Sequence, residues 1–170
     1  KKVGKKITLV GDHADNIGFQ CGGWTIHWQG GSGDITPGTT ILDAFKSAVS
    51  DSNNIRYSKN ADNLSESDII VVAIGEEPYT EGVGDRDSLL LSKKDKQLLE
   101  KVKRAKIPYV VILISGRPMI INEELDPRQG FTKLHINRGQ AGLDITVVGS
   151  LNVIEEKLQK SLKSKKMLHG

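Results

Sequence analysis

The chain has a single cysteine, Cys21, in 170 residues. An internal disulfide is therefore excluded, and with no histidine beside it Cys21 reads as a packing residue. Aromatic residues make up only 5% of the sequence and the formal net charge is only +3. Much of that charge lies at the two ends, and no basic patch interleaved with aromatics appears, which argues against a nucleic-acid binder. No apolar run approaches the ~18 residues of a membrane-spanning helix. Lys1 to Lys6 is not followed by an apolar stretch ending in a cleavage site, so no signal peptide is expected in this chain. The histidines, His13, His27, His135 and His169, lack metal-ligand spacing, which argues against a zinc site. There is no G-x-S-x-G elbow around Ser115, no GxxxxGK[ST] loop, and no dinucleotide fingerprint near Gly4 and Gly11.

What is present is glycine, 18 residues of it, and several short apolar runs. The central run, Ile69 to Ile74, is unbroken and rich in β-branched residues, as expected of a strand buried on both faces of a parallel sheet. Tyr109–Ile114 reads the same way, Lys6–Gly11 reads as a first short strand, and Asn54–Tyr57 as a short strand near an edge. Thr39 and Thr40 can cap a helix over Ile41–Val49, with Leu42, Phe45 and Val49 on one face. Ser92 can cap a second, Lys93–Ala105, whose buried stripe is Leu98, Leu99, Val102 and Ala105. Past Ile121, Lys133–Ile136 and Leu143–Gly149 suit strands, and Ser150 can cap a last helix presenting Leu151, Ile154, Leu158 and Leu162. Strand–helix–strand with short links is the βαβ pattern. The expectation is one domain over 1–170, a three-layer α/β/α sandwich with a mostly parallel sheet in a flavodoxin-like arrangement.

In such sheets ligands bind beyond the carboxyl ends of the strands. Three polar loops are delivered there: Gly11–Asn16, Ser115–Pro118, and the acidic, Gly-rich Gly75–Asp85. A long segment expected to be irregular, from Ile17 to Thr39, adds Trp24 and Trp28 among seven glycines. Loops of this length are usually functional. A flat ring beside closely approaching backbone suits a sugar, and a Trp pair packed on the sheet edge is the structural alternative. Ser115 suits a sugar contact or a loop cap. Arg117, fixed before Pro118, suits either a carboxylate in the acidic loop or solvent.

Several stretches in order now carry a resemblance: Val10–Asn16, Cys21-Gly22-Gly23-Trp24-Thr25-Ile26, Trp28-Gln29-Gly30-Gly31, Thr36–Leu42, Gly75-Glu76-Glu77-Pro78-Tyr79-Thr80-Glu81 with Gly84-Asp85, and Leu113–Pro118. Over roughly residues 6–121 they closely resemble the second domain of glycoside hydrolase family 3, the β-glucosidase and exo-β-glucanase enzymes. The resemblance implies an α/β/α domain that partners an N-terminal (β/α)8 barrel. The barrel supplies an aspartate nucleophile, and this domain supplies the acid/base from the Glu76–Asp85 loop. Glu81 matches that acid/base, with Glu76 as the fallback, and Trp24 matches a tryptophan that stacks on the sugar. Asp12, Ser115 and Arg117 are further candidates for the sugar-binding site. The implied chemistry is retaining hydrolysis of β-glucosides or β-glucan oligosaccharides with no metal or organic cofactor, in a family often secreted or periplasmic. Retention needs two carboxyl groups ~5–5.5 Å apart, one of them a proton donor. Around Glu81, Thr80, Gly82 and Val83 bring no cation, so a carboxylate across a domain cleft is the group expected to keep that donor protonated.

Two features depart from the family pattern. Arg86-Asp87-Ser88 replaces the usual Asn-rich continuation of the acidic loop. Residues 122–170 lack the family's expected tail, which reads as an excised or rebuilt domain with a substituted tail. Three functions follow: half of a β-glucosidase site, inactive alone for want of the barrel; a non-catalytic carbohydrate-binding or scaffold domain; and a small complete enzyme pairing Glu81 with Asp85 or Asp12. The first is favoured.

Overall fold

The computed structural model describes residues 4–124, together with the backbone of two later strands, 131–138 and 143–150. The sheet contains β1 (Ile7–Val10), β2 (Ile55–Ser58), β3 (Ile69–Gly75), β4 (Tyr109–Ser115), β5 (Phe131–Arg138) and β6 (Leu143–Ser150). Its spatial order is β2-β1-β3-β4-β6-β5. The first four strands are parallel, with Val10 opposite Val72 and Val72 opposite Val111. β6 then runs antiparallel to β4, placing Val147 opposite Ile112, and β5 pairs antiparallel with β6. The flavodoxin-like order therefore holds through four strands, beyond which the sheet becomes mixed.

Two helices cover the two faces because β3 is apolar on both. Leu9, Val71 and Ala73 point one way, where α2 (Ile41–Ala48) lays Leu42 and Phe45 on them. Val10, Ile70, Val72 and Ile74 point the other way, against Leu98, Leu99 and Val102 of α3 (Lys93–Arg104). Each Val, Leu or Ile side chain fully removed from water there contributes about 1.5–3 kcal/mol. The expected caps form: Thr40 Oγ1 accepts from Asp43 N at 3.1 Å, and Ser92 Oγ accepts from Asp95 N at 3.0 Å.

The glycine-rich segment is more ordered than the sequence suggests. Asp12–Asp15 forms a 3-10 turn, and α1 spans Ile17–Cys21. Asn16 caps α1 through Phe19 N at 3.0 Å and also accepts from Gly33 N at 2.8 Å, so one side chain closes the loop on itself. A helix this short has no readable period, which is why an irregular segment was expected there. The helix expected after Ser150 lies outside the described residues.

Candidate functional site

After β1 the chain goes to β2 on one side of it, and then returns to β3 on the other. Connections diverge at that point, leaving a crevice at the strands' carboxyl ends. The residues that open it are set by close backbone approach. A Cβ on Gly11 would lie 2.1 Å from Ala73 O, and one on Gly75 would lie 1.8 Å from Ile114 O. Only glycine fits at either exit.

Glu76 is the first residue beyond β3, and its amide still bonds Ile114 O at 3.0 Å. Its side chain is only 6% exposed. Oε1 accepts from Arg86 Nη1 at 3.2 Å and faces Arg117 Nε at the same distance. Oε2 accepts from Tyr79 OH at 3.1 Å and from Gly116 N at 3.3 Å. Arg117 Nε donates to Tyr79 OH at 2.6 Å, its guanidinium lies 4.1 Å from the centre of the Tyr79 ring, and Nη2 donates to Gly84 O. Burial pushes the Tyr79 phenol above its usual range; the Arg117 bond opposes this and the Glu76 charge adds to it. The phenol thus stays a donor. Of the two fates open to Arg117, the structure takes the carboxylate.

Asp12 and His13 form another wall. Burial alone raises the Asp12 carboxyl, but hydrogen bonds and charges from Lys94 and Lys59 outweigh it and hold the group below the usual carboxylate range. Lys59 Nζ lies 3.1 Å from Asp12 Oδ1, and Lys94 pairs with Oδ2. His13 is buried and donates from Nε2 to Glu76 O at 2.9 Å. Burial pushes its imidazole below the usual value, against smaller upward contributions from that bond and from Asp95, Asp12 and Glu77. Only the position of His13 in a strand-end loop hinted at this role in the sequence.

The tryptophans sit on a second loop packed against the first. Gln29 Oε1 accepts from Thr80 N at 3.0 Å, and a Cβ on Gly23 would meet Tyr79 O at 2.2 Å. Trp24 and Ile26 both adopt φ near 61°. That region is costly for a β-branched residue and typically persists at functional loops. Trp24 N bonds Trp28 O at 3.0 Å, and the rings lie 6.2 Å apart. Trp24 is 68% exposed and Trp28 52%, so neither is a packing residue among the described residues.

Two depressions flank Glu76. The larger, ≈ 390 Å³, is lined by Asp12, His13, Glu77, Asp85, Lys94 and Arg117 among others. The smaller, ≈ 150 Å³, brings Trp24 together with Cys21, Thr80, Ser115 and Gly116. Ser115 is buried, and its hydroxyl donates to Arg117 O at 2.8 Å, capping the loop. Glu81 lies on the exposed tip of the acidic loop and lines neither depression, so Asp12, Glu81 and Ser115 do not share one hollow. Asp12, Trp24, Ser115 and Arg117 do converge on the same edge, around Glu76.

The family model described as the glycosyl hydrolase family 3 C-terminal domain matches residues 1–142. That span exceeds the 6–121 carried by motifs and takes in β5, a strand without diagnostic residues. The lysosomal beta glucosidase of Dictyostelium discoideum is 33% identical over 71% of this chain and 17% of its own length. A beta-xylosidase of Formosa agariphila is 30% identical over 69% of this chain and 18% of its own. Among solved structures, the exo-1,3/1,4-beta-glucanase ExoP of a Pseudoalteromonas species is 33% identical, with a TM-score of 0.64, over 71% of this chain and 16% of that one. This chain therefore spans less than a fifth of the length of each of these relatives. The four parallel strands, the strand-end site and the family match agree: the chain belongs to the glycosyl hydrolase family 3 C-terminal domain family.

Proposed function

We propose that this chain is the second domain of a retaining β-glucosidase or exo-β-glucanase and contributes Glu81 as its acid/base. The observation that supports Glu81 over Glu76 is the occupancy of the Glu76 carboxylate. It is buried and engaged by Arg86, Arg117, Tyr79 and Gly116 N, so it is not presented to a substrate. Glu81, in the same motif, is exposed at the loop tip. In the first step Glu81 gives its proton to the glycosidic oxygen as that bond breaks and the barrel's carboxylate bonds the sugar. In the second step Glu81 takes a proton from the water that releases the sugar, and the nucleophile departs.

Trp24 supplies the flat ring for the sugar's apolar face. Asp12, Ser115 and Arg117 spend their side chains on neighbours and contribute to the walls. On this reading the nucleophile comes from the barrel, so the 170-residue chain by itself is expected to give no turnover. The test compares aryl β-glucoside hydrolysis by the purified 170-residue chain with that by the enzyme assembled with its barrel. Turnover only after assembly is expected, falling about 10²–10⁴-fold in Glu81→Gln for poor leaving groups and less for activated ones. Uniform loss across leaving groups, or full activity, counts against Glu81. The exposure of Trp24 and Trp28 also suits a non-catalytic carbohydrate-binding domain. Glucose binding by the chain, with no turnover even after assembly, is the outcome that would favour it.

A further inference from the structure

We propose that Glu76 is a positioning residue, which with Arg86, Arg117 and Tyr79 clamps both limbs of the loop that carries Glu81; the inference rests on the acid/base reading of Glu81. The anchor is rigid, because the Glu76 amide continues the β3–β4 ladder to Ile114 O. From there its carboxylate reaches across the loop. On the near limb it takes Tyr79 OH, three residues along the chain. On the far limb it takes Arg86 Nη1, whose guanidinium also donates to Ser88 O and Leu90 O and so fixes the loop's exit. Arg117 ties the two limbs together, bonding Tyr79 OH on one side and Gly84 O on the other.

Glu81 lies between these fixed points. Its flanks are closed locally as well, by Gly84 N on Thr80 O at 2.9 Å and Asp85 N on Gly82 O at 2.9 Å. Packing supports the same registration. A Cβ on Gly84 would overlap the Tyr79 ring at 2.1 Å, and one on Gly116 would press its hydroxyl at 2.7 Å. Nothing holds the Glu81 side chain itself among the described residues, so its location depends on how firmly residues 79 and 84 are held. Arg86 is the chain's departure from the Asn-rich family pattern, and the clamp gives it a use. A proton donor displaced by about 1 Å loses up to about 100-fold in rate.

Two measurements test the clamp. In the 170-residue chain, amide hydrogen exchange over residues 79–85 speeds up in Glu76→Gln, while β1, β3 and β4 amides keep their rates. Unchanged exchange over that loop overturns the proposal. Should Glu76→Gln fail to fold, Tyr79→Phe removes two contacts of the clamp, those to Glu76 and Arg117, and must show the same local acceleration. In the assembled enzyme, Glu76→Gln lowers kcat by up to about 100-fold with KM little moved. It keeps the basic limb of the pH–rate profile, which Glu81→Gln removes. Added to Glu81→Gln, Glu76→Gln costs nothing further, because it acts through a side chain already gone. Unchanged kcat, or losses that multiply in the double variant, refute the clamp. Full activity in Glu81→Gln refutes the acid/base reading instead, and the exchange measurement still decides the clamp.

Discussion

Glu76 and Glu81 stand five positions apart in one loop and meet opposite surroundings. Glu76 sits against the sheet, 6% exposed, with two arginines, a tyrosine and a backbone amide on its oxygens. Glu81 sits in water at the tip. The difference teaches that one acidic loop can hold a carboxylate saturated with partners at its base and leave another solvated at its tip, which is the contrast on which the proposed division between positioning and proton transfer rests.

Unfolding in urea should separate the two glutamates. Glu76→Ala leaves two partly solvated guanidinium groups without their carboxylate and is expected to cost about 1.5–3 kcal/mol. Next in size, Gly84→Ala drives a methyl into the Tyr79 ring, for about 1–3 kcal/mol. Gly82, at the tip, has φ +66° and open space around it, so Gly82→Ala pays only for the left-handed backbone, about 1 kcal/mol. Glu81→Ala should change stability by no more than about 0.5 kcal/mol. A Glu81→Ala cost equal to that of Glu76→Ala would erase the distinction between base and tip.

The smallest effect concerns pH. Burial holds His13 below the ordinary imidazole value of 6.5, so between its folded value and 6.5 the unfolded chain binds more protons. This contribution to stability is complete above about pH 6.5 and is lost as pH falls through the folded value. An NMR titration placing the His13 midpoint below 6.5 supports the arrangement; a midpoint above 6.5 contradicts it.

The parallel half of the fold was legible because its signals are local. Ile69–Ile74 needs no partner to read as a buried strand, and Thr40 and Ser92 cap the helices they precede. The antiparallel placement of β6 against β4 was not, since a β-branched run such as Ile145–Val148 carries no signal of strand direction. At the site, the loops and Trp24 could be read from composition and motif. The roles of Tyr79, Arg86 and His13 could not, because each depends on a residue distant in sequence or across a turn: Arg117 for Tyr79, Glu76 for Arg86 and His13. α1 was hidden because five residues show no period, and the loop around it closes through Asn16 accepting from Gly33 N, a contact distant in sequence.

The division between Glu76 and Glu81 is tested most directly by azide. In the assembled enzyme acting on an activated aryl β-glucoside, Glu81→Gln should stall at the glycosyl-enzyme stage. A small anion needs no general base to attack that intermediate, so azide should raise turnover in proportion to its concentration. Azide acceleration of Glu81→Gln is the result predicted here. No azide response in Glu81→Gln, together with acceleration in Glu76→Gln, would show that the buried glutamate is the acid/base and would contradict the account.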